Sequence, residues 1–201
     1  MALTLVTAPA AEPVTVAEAK AHLRVDLDDD DALIGRLITA ARQGGEDFTG
    51  RSFVTQAWRL TLDRVPGTSL SWWDGWREGA AVDGCPNAIS LPRPPLQSVS
   101  AVTLFGEDGA TTEWAAANYF VDGDGGRLVL CDGSAWPTLV RTVAGLSVTY
   151  VAGYGDEASD VPAALRQAVL AHVAALYEHR GDDRMPAAAQ ALYRPYRLVR
   201  L

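Results

Sequence analysis

The sequence predicts an α+β protein. It is mainly a helical bundle, two N-terminal helices plus one long C-terminal helix, with an inserted antiparallel β lobe and an extended C-terminal arm. Three observations predict it. Apolar stripes at helical spacing lie towards both ends. Between them, short alternating runs are separated by glycine-rich turns. The last residues mix arginine with aromatic and aliphatic side chains and contain no acid. The boundaries follow: 1–53 for the first two helices, 54–152 for the β lobe, 153–183 for the last helix and 184–201 for the arm.

The first helix is placed from Pro13 to Leu23, because Thr15 and Glu18 form a T-x-x-E capping box. The run Asp28-Asp29-Asp30-Asp31 leads into a second helix reaching about Phe48. Its inner face is Leu33, Ile34, Leu37, Ile38, Ala41 and Phe48. Carboxylates suit the positive end of that helix. A calcium loop would need glycine and glutamate where the chain has Asp31 and Leu37, so capping is preferred.

At Val54 the period changes to two. Trp58, Leu60 and Leu62 alternate with Arg59 and Thr61 as a strand. Trp72, Trp73 and Trp76 follow in a loop, either as a satellite core or as a contact surface. Leu91-Pro92-Arg93-Pro94-Pro95-Leu96 is a stiff connector. Strands are expected at 99–105, 118–121, 127–130 and 146–151, divided by clusters of glycine and aspartate. Gly153 and Gly155 then turn the chain, with Asp160 as the expected cap of the third helix and Pro162 in its first turn. Leu165, Val169, His172, Val173, Leu176 and Tyr177 make its apolar stripe, and Gly181 ends it beside Arg180.

Composition narrows the function. With 48% hydrophobic and 21% charged residues the chain has the balance of a globular domain long enough for a real core. No run approaches the roughly 20 apolar residues of a membrane span. Residues 1–6 have no basic stretch before them, unlike a signal peptide, so a cytoplasmic protein is expected. Cys85 and Cys131 are expected as free thiols. Net charge is −8, yet residues 184–201 carry four arginines, so the body is more acidic still. An acidic body argues against gripping nucleic acid, and a basic arm fits an acidic groove on a protein.

The catalytic inventory is poor. His172 and His179 lie on one helical face but too far apart to share a metal, and His172 belongs to the apolar stripe. No H-E-x-x-H, G-x-S-x-G, C-x-x-C or phosphate-loop pattern occurs, and Lys20 is the only lysine. No catalytic residue, metal site or cofactor is expected.

Four segments carry a resemblance: Leu91–Leu96; Ser134-Ala135-Trp136-Pro137; Val148-Thr149-Tyr150-Val151-Ala152-Gly153-Tyr154-Gly155; and Val161-Pro162 through Leu165-Arg166 to Tyr177-Glu178-His179-Arg180. In this order they resemble the head–tail connector (adaptor) proteins of long-tailed phages and gene transfer agents. The ending Pro195–Leu201 resembles the tail of one subfamily, and the two N-terminal helices fit as well. The Trp-rich loop maps onto nothing in the family.

The resemblance implies a ring of copies, commonly twelve, beneath the capsid portal. Such a ring extends the DNA channel, lets DNA pass without sequence-specific binding and offers its far side to the next neck, stopper or tail protein. It implies a place in the neck of a virion or gene transfer agent particle, reached from the host cytoplasm during assembly, with no membrane contact. Portal contacts are then expected on the arm: Leu192, Tyr193, Arg194, Pro195, Tyr196, Arg197, Leu198, Arg200 and Leu201. Here Tyr193, Tyr196 and Leu201 fill pockets while the arginines meet carboxylates or carbonyls. This is preferred to a tail that folds back to complete its own bundle, because arginine and tyrosine are enriched at binding hot spots. The alternatives are a neck or tail-completion protein of a different ring, or a small ligand-binding β module using Trp72, Trp73 and Trp76.

Overall fold

A computed structural model describes residues 1–66, 86–179 and 184–198. The expectations for Trp72, Trp73, Trp76, Cys85, Arg180, Gly181, Arg200 and Leu201 fall outside those residues. The chain forms two compact units. Among the described residues, one is helical, built from Pro9–Thr55 and residues 153–198; the other is a β unit, built from Met1–Ala8 and Gln56–Ala152.

The helical unit contains α1 (Val16–Leu23), α2 (Asp31–Thr49), α3 (Ala163–Glu178) and α4 (Ala187–Tyr193). The expected capping box opens α1: the Thr15 hydroxyl accepts from Glu18 N–H, and Glu18 accepts from Thr15 N–H. Along α2, Ile34, Ile38, Ala41, Arg42, Gly45, Glu46 and Thr49 are buried, a single stripe at steps of three and four. The matching stripe of α3 is Leu165, Ala168, Val169, His172 and Val173. The apolar members of both stripes, with Val14, Ala19, Phe53, Val54, Val161, Ala189 and Tyr193, form one core.

Two capping expectations need correction. Asp160 does not cap α3; it accepts from Glu157 N–H at 3.0 Å and closes a 3-10 turn, leaving Pro162 at the cap position. The acids before α2 are more than helix-end charges. Asp28 and Asp31 both bind Lys20, and Asp30 accepts from the Tyr177 hydroxyl at 2.6 Å.

The β unit holds two antiparallel sheets. In the larger, the order is β1 (Ala2–Thr7), β2 (Gln56–Leu62), β8 (Leu146–Ala152), β4 (Leu96–Phe105) and β5 (Thr111–Glu113). In the smaller it is β3 (Ala88–Ser90), β7 (Arg127–Leu130) and β6 (Tyr119–Asp122). The alternation read from the sequence sets the inner face, since Leu60, Leu62, Leu146, Val148 and Tyr150 are all fully buried. Strands β1, β3 and β5 were not expected, and residues 2–7 were grouped with the helices.

Trp114 supports the same core, stacked on Tyr119 at 5.4 Å and tilted against Trp136 at 5.5 Å. Two of the ring polar groups here are bonded to backbone carbonyls. Tyr150 donates to the Pro92 carbonyl at 2.7 Å and Trp136 to the Pro86 carbonyl at 2.9 Å.

Candidate assembly interface

The basic ending is only partly an arm. Residues 187–193 form α4, and Arg194–Tyr196 add a turn of 3-10 helix. Tyr193 was expected to fill a pocket on a partner, but it fills one in its own unit and is fully buried. Its ring lies 5.9 Å from Phe53 and 6.2 Å from Phe48. The slot exists because α2 has a glycine there. A Cβ on Gly45 would stand 2.6 Å from the Tyr193 hydroxyl and 2.9 Å from the Phe53 ring. Burial, reinforced by the nearby Glu46 carboxylate, pushes the phenol well above the usual tyrosine range.

Beyond Tyr193 the chain wraps the C-terminal end of α2. Gly50 ends that helix at φ 73°, a conformation that suits glycine. The Leu198 side chain lies over it, and Leu198 N–H donates to the Thr49 carbonyl at 2.9 Å. That bond satisfies one of the carbonyls a helix end leaves open. Arg51 Nε–H donates to the Tyr196 carbonyl at 2.7 Å, and the Arg197 guanidinium sits 5.5 Å from the centre of the Phe48 ring.

The expected site therefore divides by exposure. Leu192, Tyr196 and Leu198 are half-buried and, with Tyr193, hold the segment to its own unit. Arg194, Pro195 and Arg197 are exposed and make the outward face. Sequence reasoning missed Gly45 and Arg51; an arginine just after a helix-ending glycine was the available signal for the second.

The same unit buries a polar network. Arg42 Nε–H donates to Glu12 at 2.7 Å, its Nη1–H to Glu46 at 2.9 Å, and Glu46 also accepts from Phe53 N–H at 2.9 Å. Arg42 and Glu46 are about 5% and 4% exposed, so each charge depends on the other. This ties residues 12, 42, 46 and 53 together beneath Tyr193 and is structural in character. Among the described residues, no group of three or more His, Cys, Asp or Glu side chains is placed to hold a metal ion. Nor is any helix among them long and apolar enough to cross a membrane.

The β unit contains a cavity of about 730 Å³, lined among others by Asp63, Pro66, Pro86, Leu130, Trp136 and Leu139. Asp63 is engaged there by Ala144 N–H at 2.7 Å.

Residues 13–104, from α1 into β4, match the family model of phage gp6-like head-tail connector proteins. Over its whole length the chain superposes on a protein in the neck of an empty gene transfer agent particle. The TM-score is 0.79 at 28% identity, with 97% of that chain covered. The chain is a head–tail connector subunit.

Two further solved assemblies contain similar chains, each 29% identical and each covered to 97% by all of this connector. One is the virion of a native gene transfer agent particle, at TM-score 0.77. The other is a native particle's neck computed with C12 symmetry, at 0.75. Among curated proteins, nothing matches this connector.

Proposed function

We propose that this connector forms a ring under the capsid portal of a phage-like or gene transfer agent particle. The ring extends the DNA channel and joins head to tail, and the exposed face of residues 194–197 meets the portal. The observation that carries the reading is the full-length likeness, at 28–29% identity, to chains of two gene transfer agent necks and of a gene transfer agent virion. Twelve copies is the expected number, in keeping with the C12 symmetry of one of those necks. The excess of acid over base, net −8, suits a channel through which DNA passes without sticking.

In the proposed contact, Arg194 and Arg197 supply the charge and Tyr193 supplies the anchorage behind it. The test is co-purification with the portal protein encoded nearby, using the full chain against Arg194→Glu/Arg197→Glu. Both positions are exposed, so the variant is expected to fold normally while portal binding falls at least about tenfold, or 1.4 kcal/mol. Removing everything after residue 183 is a poorer test, because it also takes Tyr193 out of the core. Wild-type binding by the arginine variant would overturn the assignment of this face.

A further inference from the structure

The larger sheet ends in β1, whose sequence Ala2-Leu3-Thr4-Leu5-Val6-Thr7 has no charge, proline or glycine. All but Leu3 are exposed. Leu5 is 42% and Val6 46% exposed, and a bulge leaves Val6 without a partner, as the register jumps from Leu5↔Trp58 to Thr7↔Ala57. Exposed edges are ordinarily protected by charges, prolines or a covering element, because their open N–H and C=O groups invite another strand. Among the described residues the bulge is the only such device on β1, and it displays apolar side chains.

The smaller sheet has a comparable edge. Its outer strand β6 pairs, among the described residues, only with β7 and exposes Phe120 by 64% and Val121 by 42%. Its one charge, Asp122, is already held by Arg127 at 2.7 Å. One unit thus carries two different apolar edges, neither offering a free charge to select an oppositely charged partner. A closed ring requires this arrangement, since each subunit meets its neighbours through two different surfaces rather than one self-matching patch.

We propose that successive copies of the connector join through these edges, β1 of one copy against β6 of the next. The inference rests on the ring reading above and specifies the surfaces that make it.

The experiment images rings formed by the full chain with its portal. Four variants are compared with wild type: Val6→Lys, Phe120→Glu, the two combined, and Leu27→Glu as a control. Leu27 is 72% exposed in the helical unit. Each single edge variant is expected to lower ring yield at least about tenfold, the combination to restore it, and the control to leave it unchanged. A second arm places Val6→Cys with Phe120→Cys in a Cys85→Ser/Cys131→Ser chain, where oxidised rings are expected to give a ladder of covalent multimers. Single variants that assemble like wild type, no recovery in the combination, or intact rings without a ladder would each overturn the pairing. Wild-type chain that forms no ring would remove the ring reading itself, a result distinct from rings that form through other faces.

Discussion

The helical unit and the β unit close their cores with different materials. In the helical unit, polar groups lie deep: Arg42, Glu46, His172 and the Tyr193 hydroxyl are all buried. Its packing is fixed by charge pairing and by the space left at Gly45, and its only large exposed apolar side chain among the described residues is Leu27. In the β unit, the core cluster is apolar, although Gln56 and Ser147 are also buried, and the Tyr150 hydroxyl is satisfied, yet Leu5, Val6, Phe120, Val121, Val140 and Val143 stand exposed. One unit is specified from within. The other, among the described residues, exposes apolar side chains, some of which the proposed contact between copies would cover.

The sharpest way to break this contrast is to remove a charge from each unit. Arg42→Ala strands Glu46 in the interior and is expected to cost about 3–5 kcal/mol. Arg59→Ala, on an exposed position of β2, is expected to stay within about 0.5 kcal/mol. Urea unfolding followed by circular dichroism measures both. Equal, small losses would show that the buried network does not specify the helical unit.

Next in size is a pair of substitutions on one helix. Gly45→Ala drives a methyl group into the Tyr193 and Phe53 rings and is expected to destabilise by about 1–3 kcal/mol. Gly35→Ala meets nothing within 4 Å and is expected to stabilise by up to about 1 kcal/mol through helix propensity alone. Opposite signs from the same chemical change would isolate the slot that α4 occupies.

His172 gives a pH test of the same interior. Burial is the main cause of its lowered pKa, with a smaller opposing pull from the Ala41 backbone. The folded chain therefore takes up its proton at lower pH than the unfolded chain does. Below the ordinary histidine value of about 6.5, the unfolded state binds more protons and stability falls, by at most about 1.4 kcal/mol per pH unit. His172→Gln should flatten that part of the profile between pH 7 and pH 5. An unchanged slope would place the sensitivity elsewhere.

What the sequence disclosed follows the reach of its signals. The capping box at Thr15 and Glu18 is local, and the stripes of α2 and α3 repeat over several turns, so both are legible without a structure. Alternation exposed β2, β4 and β8, because one face of each is buried. Strand β1 gives no such signal. It is apolar at alternate and adjacent positions, and its partner, β2, lies far along the chain. β3 and β5 have three residues each, too few to show a period. In the arm, the expectation for Tyr193 failed for another reason. Its composition says that Tyr193 can bind something, but only the missing side chain at Gly45 shows where the ring goes.

That ring carries the smallest and most telling prediction. The Tyr193 hydroxyl is buried and accepts or donates no hydrogen bond among the described residues. A buried hydroxyl without a partner gives up its hydration for nothing, whereas the ring around it keeps its contacts with Phe48 and Phe53. Tyr193→Phe should therefore stabilise the protein, by about 1 kcal/mol, where truncation to alanine would cost about 3–5 kcal/mol. Both follow from thermal or urea unfolding of the purified chain. A loss of stability in the phenylalanine variant would mean that the hydroxyl has a partner in solution, and the interior of the helical unit would then be more fully satisfied than its geometry indicates.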